Sequence, residues 1–486
     1  MSAAERVHRA AAARAAPWLA ALLAGCSFAP HMQTPPIPVA DSYKELDGWI
    51  TAAPADQLPR DAWWKLYGDP QFDELQQRLL ANSPDLAAAL ARYSQAQAVS
   101  TQLNSALFPS LNANASVSHN REALMTPLQH LTAPTDYNEN VVGLQAFYEL
   151  DLWGRVRNTV AAGRAQAAAS AADLESARLS LQAQLADDYI VLRELDQEIT
   201  LLNDTMTAYA EALDLTRQRF GSGITSGLDV ARAQNQLDET RSQVAQMQAQ
   251  RALTEHAIGA LIGEDASRFS IEPRQVELTL PLVPPGLPST LLQRRPDVAA
   301  AQRRMQAANA GIGVARAAYF PDVTLDAAIG FESDRRAGWI QAPNTFWSLG
   351  PNALLTVFDA GRRKAQVAQA RAQFDEAAAD YRSVALSAFQ QIEDNLALIG
   401  RYHIADEAER SAVAAAQQAL DYSLTRYRAG AVNYLDVVIS QTAALQSRIE
   451  ALDITTRQLR ASVQLIRALG GGWQDPVTVA ANATTR

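Results

Sequence analysis

Residues 110–118 alternate in character. Leu111, Ala113, Ala115 and Val117 are apolar, while Asn112, Asn114, Ser116 and Ser118 are polar. A period of two predicts a strand with one apolar face. Val142, Leu144, Ala146, Tyr148 and Leu150, set against Gly143, Gln145 and Glu149, predict a second strand. Val323, Leu325, Ala327, Ile329 and Phe331, set against Asp322, Thr324, Asp326 and Glu332, predict a third. A fourth, Trp347–Asp359, is weaker because Pro351 interrupts it. Polar loops, Glu122–Tyr137 and Ser333–Thr345, separate the members of each pair. Each strand is near the ~9–11 residues that a tilted strand needs to cross a bilayer. Tyr148, Trp153, Phe331, Trp339, Phe346 and Trp347 gather near the strand ends, where membrane barrels carry aromatic girdles.

Outside these stretches proline marks the boundaries. None occurs between Pro134 and Pro273, or between Pro351 and Pro476. Proline disrupts helix interiors, so its absence permits long helices. Arg155–Phe220 and Gly361–Tyr427 are rich in Ala, Gln, Arg, Leu and Glu. At ~1.5 Å per residue each could extend ~100 Å, a length that calls for coiled packing against neighbours. Each long helix is expected to turn and return, as Leu228–Ile262 and as Tyr434–Leu469. Gly221, Gly223 and Gly227 would serve the first turn, and Gly430 with Asn433 the second.

The chain repeats itself. Arg219-Phe220 and Gly223 answer Arg426-Tyr427 and Gly430, and Leu228-Asp229-Val230 answers Leu435-Asp436-Val437, in each case 207 positions on. Pro84-Asp85 answers Pro296-Asp297, and Phe108-Pro109 answers Phe320-Pro321, each 212 positions on. Matched landmarks this far apart predict a duplication. Each half then reads helix, strand, loop, strand, very long helix, turn, helix.

Four strands cannot close on themselves, because the smallest membrane barrels use eight. Open strand edges are not tolerated in lipid. If these strands span a membrane, several copies must share one barrel. The alternative is two small hairpins capping a soluble coiled coil or, should the chain carry a lipid anchor, a periplasmic coiled coil without a pore.

The start of the chain supports the membrane. Arg6, Arg9 and Arg14 precede an apolar run, Ala15–Ala24, too short to span a bilayer as a helix. This is the layout of a secretory signal. Leu23-Ala24-Gly25-Cys26 follows, and Cys26 is the only cysteine among 486 residues. The tetrad resembles the bacterial lipobox, whose cysteine becomes the lipidated first residue. The next residue is Ser27, not aspartate, which in lipoprotein sorting implies the outer membrane. No other stretch has eighteen apolar residues in a row.

The net charge of −10 argues against a nucleic-acid partner. The six histidines (His8, His31, His119, His130, His256 and His403) lack metal-ligand spacing. Neither a nucleophile elbow nor a phosphate loop is present. Asp187-Asp188 and Glu393-Asp394 fall mid-helix and read as solvated faces. No enzyme, metal or cofactor is expected.

Several stretches together carry a resemblance. They are Trp63-Trp64-Lys65-Leu66-Tyr67-Gly68-Asp69-Pro70, Tyr319-Phe320-Pro321-Asp322, Val357-Phe358-Asp359-Ala360-Gly361-Arg362, and Tyr427-Arg428-Ala429-Gly430 with Tyr434-Leu435-Asp436-Val437. In this order and spacing the mature chain resembles the TolC-like outer-membrane efflux proteins, in particular the lipoprotein branch (the OprM/NodT-like factors) paired with RND pumps.

The resemblance implies an α+β membrane protein and a homotrimeric channel-tunnel. Four strands per chain would build a twelve-strand outer-membrane β-barrel above a long periplasmic α-helical barrel, with an internal two-fold repeat. It divides the chain into a lipoprotein signal peptide (1–25), a lipid-anchored and equatorial segment (26–82), a first repeat (83–290), a second repeat (291–470) and an equatorial tail (471–486). The segment Arg268–Ser289 would join that equatorial belt. The implied partners are a periplasmic adaptor, an inner-membrane RND pump and outer-membrane lipid. A duct for type I protein secretion is the alternative use of the same fold.

The resemblance also assigns the turns. Gly221, Gly223, Gly227, Gly430 and Asn433 would form periplasmic tips that dock the adaptor. Leu435, Asp436, Ile439 and Thr442 would line the narrowest point. Relatives commonly carry a second carboxylate where this chain has Ile439, and often an arginine where it has Thr442. The expectation is therefore a more hydrophobic gate with at most one acidic ring. The competing reading of Asp436 is an acid at a helix N-terminus answering the helix dipole, because Asp229 repeats it.

Overall fold

The computed structural model of the chain describes residues 28–37, 43–46, 62–121, 123, 136–281, 283, 295–335 and 337–471. The leader, Cys26, most of the first polar loop, the end of the Arg268–Ser289 segment and the tail from residue 472 lie outside the described residues.

A short 3-10 turn, Trp63–Tyr67, leads into α1 (Pro70–Asn82) and α2 (Pro84–Ser105). β1 (Ser110–Arg121) and β2 (Asp136–Glu149) follow, then α3 (Arg155–Gly221) and α4 (Gly227–Leu261). The same order returns in α5 (Pro296–Ala317), β3 (Asp322–Ser333), β4 (Thr345–Leu354), α6 (Arg362–Arg428) and α7 (Tyr434–Ala468). α3 and α6 each have 67 residues, and α4 and α7 each have 35. The expected limits of the long helices are met to within a residue. β4 is shorter than expected. It ends at Leu354, and Leu355–Asp359 is not strand. Pro351 is accommodated inside β4 because β4 is an edge of the sheet within one chain, where a missing N–H costs little.

The chain packs as two units. The first comprises Met1–Pro35, Tyr93–Ser170 and Ala301–Tyr381 and holds the sheet. Its strands run β1-β2-β3-β4, all antiparallel. The register aligns the alternation across all four. Leu111 pairs with Ala146, Ala146 with Ala327, and Ala327 with Leu349. Asn112 pairs with Gln145, Gln145 with Ala328, and Ala328 with Ser348. One face of the sheet thus carries an apolar band, bounded at one end by His119, Arg121, Asp136, Asn138 and Asn140, and the other face is mostly polar. Where the sheet meets α3, Trp153 donates its indole N–H to the Pro321 carbonyl (2.8 Å) and stacks on Phe320. Phe28 stacks on the same Phe320 ring (4.6 Å, 5°).

The second unit comprises Pro36–Arg92, Ala171–Ala300 and Arg382–Arg486. Trp63, Trp64, Tyr67, Phe72 and Leu79 are buried there, and Phe72 stacks on Tyr189 of α3 (5.0 Å, 7°). Asp69 caps α1 by accepting from the Gln71 N–H (2.9 Å) and also accepts from the Tyr189 hydroxyl. Below Tyr189 lies a fully buried guanidinium, Arg193. It donates to Asp196 (2.7 Å), to the Glu272 carbonyl (3.1 Å), to Gln71 and to the Tyr189 hydroxyl. Asp196 also takes Arg251 (2.6 Å) and the Arg274 N–H (3.2 Å). This network ties α1, α3, α4 and the extended residues 271–276 together. A buried charge is tolerated because every direction around it is satisfied.

The mid-helix acids are not simply solvated. Asp187 takes a two-pronged bond from Arg460 of α7 (2.7 and 2.8 Å). Glu393 accepts the consecutive backbone N–H groups of Lys44 (2.8 Å) and Glu45 (3.1 Å), fastening a short N-terminal turn onto α6. Spacing alone could not reveal these partners, which come from 273 and about 350 positions away in the chain.

Candidate functional site: paired helical turns

Both turns lie in the second unit and pack on a shared aromatic cluster. Tyr209, Leu213, Ala233, Leu237, Tyr427, Tyr434 and Val437 are all buried, with Met206, Val230 and Val432 against them. Tyr427 and Tyr434 meet edge-on (5.4 Å, 60°). Arg219, from the first turn, lies over the Tyr427 ring and donates to the Tyr427 carbonyl. The hairpin α3–α4 thereby holds the hairpin α6–α7.

Of the five expected turn residues, only Gly223 (φ +71°) and Gly430 (φ +76°) adopt the left-handed backbone that favours glycine. Gly221 is the last residue of α3 and Gly227 the first of α4, so their backbone angles do not require glycine. That corrects the expectation that three glycines serve the first turn through conformational freedom. A side chain built at Gly221 or Gly223 would meet nothing within 4 Å, so the turn surface stands open. Asn433 is an N-cap, its side-chain oxygen accepting from the Asp436 N–H (3.2 Å).

The two matched aspartates differ. Asp229 completes a capping box with Ser226 and accepts from the Thr225 hydroxyl (2.7 Å) and the Ser226 hydroxyl (2.9 Å). Partial burial works to raise its pKa, but the hydrogen bonds from Thr225 and Ser226 prevail and hold it below the usual carboxylate range. In the second turn Val432 and Asn433 stand where Thr225 and Ser226 do. The hydroxyl donors are gone. Among the described residues no hydrogen bond or ion pair engages the Asp436 carboxylate, and Asp436 is exposed. Both aspartates stand in the first turn of their helices, where an acid suits the helix dipole, but only Asp229 is also held by side-chain hydroxyls.

Leu435, Asp436, Ile439 and Thr442 share one exposed face of α7, while Tyr434, Val437, Gln441 and Ala444 share the buried one. This is the spacing of opposite sides of a helix. Ile439 is 59% exposed, a large apolar side chain presented outward beside a carboxylate. The sequence motif flagged this stretch. It did not reveal that Arg219 and Tyr427 clasp one another, because nothing in a repeat says which copy grips which.

Further along α7 a second charged zone faces α3. Burial, then Asp453 and Glu198, push Glu194 up to about 7 against the pull of Arg460 and Arg457. Burial and the neighbouring Asp187 push Asp188 up to about 6, partly offset by Arg460. Among the described residues no group of histidine, cysteine, aspartate or glutamate side chains could hold a metal. No described helix is long and apolar enough to cross a membrane.

The family model for outer membrane efflux proteins matches residues 75–264 and 287–471. The chain is 32% identical over 461 residues to the pyoverdine export outer membrane protein OpmQ of Pseudomonas aeruginosa, covering 93% of this chain and 96% of that one. It is 31% identical to outer membrane protein OprJ of the same organism, covering 94% and 95%. The solved outer-membrane channel OprN superposes with a TM-score of 0.84 at 29% identity, covering 92% of this chain and all of that one.

Proposed function

The chain belongs to the outer membrane efflux protein family, and from that premise we propose that it is the outer-membrane exit duct of a tripartite efflux system. Membership makes it a channel component of the outer membrane and not an enzyme. The compounds it passes would be small molecules delivered by an inner-membrane RND pump through a periplasmic adaptor.

One observation carries the reading. The sheet presents Leu111, Ala113, Ala115 and Val117, then Val142, Leu144, Ala146 and Tyr148, then Val323, Leu325, Ala327, Ile329 and Phe331, then Trp347, Leu349, Pro351 and Ala353 on a single face. No charge interrupts this band, and several of its larger members are exposed in the single chain: Leu111 by 68%, Ile329 by 56% and Trp347 by 74%. An apolar surface of that size on a four-stranded sheet calls for lipid. Yet β1 and β4 remain open edges, which lipid does not tolerate. Three copies would join edge to edge as a twelve-strand barrel; two would close eight strands around a bore filled by side chains. The long helices would form the periplasmic tunnel, and Cys26 would carry the lipid anchor. The matched element lengths of the two halves support an internal duplication.

The turns fit the ends of such a tunnel. Gly221, Gly223, Gly227, Gly430 and Asn433 would offer the adaptor an open, small-residue surface. Around a threefold axis, Leu435 and Ile439 would seal by apolar contact and dewetting, with one ring of Asp436. Reconstitution of purified full-length protein into planar bilayers tests the reading. Discrete conductance steps are expected, and a bilayer that stays silent at saturating protein would contradict it.

A further inference from the structure

The face of the sheet opposite the apolar band is mostly polar, although Val141, Phe147, Phe346 and Leu354 also lie on it, and all its charges have one sign. By register it carries Asn112, Asn114, Ser116, Ser118 and Asn120 of β1 beside Glu139, Gln145 and Glu149 of β2. Asp322, Thr324, Asp326 and Glu332 of β3 continue it. Ser348, Gly350 and Asn352 complete it on β4. The four strands contain no lysine and one arginine, Arg121. Arg121 alternates onto the other face, opposite Asp136 at 3.9 Å. His119 also falls on that other face, against Asn138.

Not every carboxylate is free to act at a distance. Glu149 is paired with Arg155, which also lies within electrostatic reach of Asp322. Among the described residues no cation pairs with Glu139, Asp326 or Glu332. Glu139 is held by the Ser118 hydroxyl (3.4 Å) and the Asn120 amide (3.1 Å), and Asp326 by the Thr324 hydroxyl (3.2 Å). Neutral donors fix these groups without cancelling their charge. Glu332 is exposed and pairs across the ladder with Val141, two positions from Glu139. Those two carboxylates therefore sit as diagonal neighbours, ~7–8 Å apart by strand geometry. Asp326 lies six residues down β3, ~20 Å away. Per chain this makes one level with two carboxylates and one level with a single carboxylate.

We propose that the barrel bore is itself a charge filter, in which Glu139 and Glu332 at one level and Asp326 at another favour cationic and neutral solutes and hold back anionic ones. The inference rests on the barrel reading above and adds a selectivity independent of the helical gate. Closed by three copies, the wall would carry six carboxylates at one level and three at the other. A water-filled bore lined by one sign of charge within low-dielectric walls concentrates the opposite ion. Facing carboxylates beyond the Debye length, ~10 Å at 0.1 M salt, act on the passing solute more than on each other. Among the described basic residues at this mouth, Arg121 lies on the other face beside Asp136, and Arg335 lies just beyond β3, outside the ladder.

The test is the K⁺:Cl⁻ permeability ratio of full-length channels in planar bilayers under a KCl gradient, measured in an Asp436→Ala background to remove the gate ring. A ratio of roughly five or more is expected. Combining Glu139→Gln, Asp326→Asn and Glu332→Gln should bring it to within about twofold of unity. Each single variant should lower it in part, which keeps the test open should the triple variant fail to assemble. A ratio near unity before any strand change, or one that the strand variants leave unmoved while channels still form, overturns the filter. Failure to form channels at all overturns the barrel reading instead, and the filter with it.

Discussion

The guanidinium of Arg219 sits 4.6 Å from the centre of the Tyr427 ring, while its Nη1 donates to the Tyr427 carbonyl at 2.7 Å. One residue of the first turn thus holds the side chain and the backbone of the second. A cation–π contact contributes about 0.5–2 kcal/mol, and a hydrogen bond from a charged donor about 1.5–3 kcal/mol. Both would be lost in Arg219→Ala. If the α6–α7 hairpin carries the gate, that variant should increase the open fraction of single channels by at least roughly tenfold. Arg219→Lys should fall between, since a compact ammonium cannot reproduce the planar stack and the fork together. Tyr427→Phe keeps ring and carbonyl and gives up only a 3.4 Å contact with Thr216, so its gating should stay close to wild type. An Arg219→Ala channel indistinguishable from wild type would show that this clasp does not restrain the turn.

The exposed stripe Leu435, Asp436, Ile439 and Thr442 predicts its own signature. Ile439→Asp should replace an apolar seal with a second acidic ring, making the closed state leak and raising cation preference. Asp436→Ala should lower cation preference while leaving closure intact. Single-channel recordings check both. If neither substitution alters closure or ion preference, the constriction lies elsewhere on the chain.

Glu194 gives a pH dependence with a defined sign. Its folded pKa is raised to about 7, by burial first and then by Asp453 and Glu198. A raised carboxylate pKa means that the folded form keeps a proton the unfolded chain has released. Stability from this group is therefore full below the unfolded value, near ~4.3, and is lost as pH rises toward 7. Glu194→Gln should stabilise the protein at pH 8, by roughly 1–3 kcal/mol per chain, and change little at pH 4. Thermal unfolding of the two proteins at both pH values decides it. An equal effect at both would mean that the gain comes from packing and not from charge.

Arg193 is 1% exposed and bonded on all sides. Arg193→Ala leaves Asp196 in the interior with only Arg251 as its cation, a situation that costs about 3–5 kcal/mol. The variant should accumulate poorly and lose its folded state at markedly lower temperature. Arg193→Met with Asp196→Leu should recover part of the loss, because no acid is then left short of a cation and Arg251 keeps Glu255 as its partner. No recovery in the double variant would point to the Tyr189 and Gln71 bonds as the essential ones.

Much of this was visible in the sequence. Alternation placed the first three strands, because a half-buried sheet must repeat every two residues, as Leu111–Val117 does without a break, while the weaker fourth ends at Leu354, five residues before its expected limit. Proline-free stretches gave the long helices to within a residue at their starts and turns. The failures share a cause. Pro351 weakened the case for β4 because its edge position is a property of the whole sheet. Asp187 and Glu393 read as solvated because their partners, Arg460 and the Lys44–Glu45 backbone, are distant in sequence. Gly221, Gly223 and Gly227 look alike in sequence, yet only Gly223 takes the left-handed angle; composition marks a turn without saying which residue adopts it. The contrast between Asp229 and Asp436 was in fact legible. Val432 and Asn433 at the places of Thr225 and Ser226 had already removed the hydroxyls that occupy the first aspartate.

The most direct measurement is the mass of the intact assembly, taken by native mass spectrometry on full-length protein extracted in mild detergent. Three chains held together, each carrying acyl groups on Cys26, is the predicted result. A single chain that stays dissolved without detergent once its lipid is removed would contradict the shared barrel, and with it the exit duct.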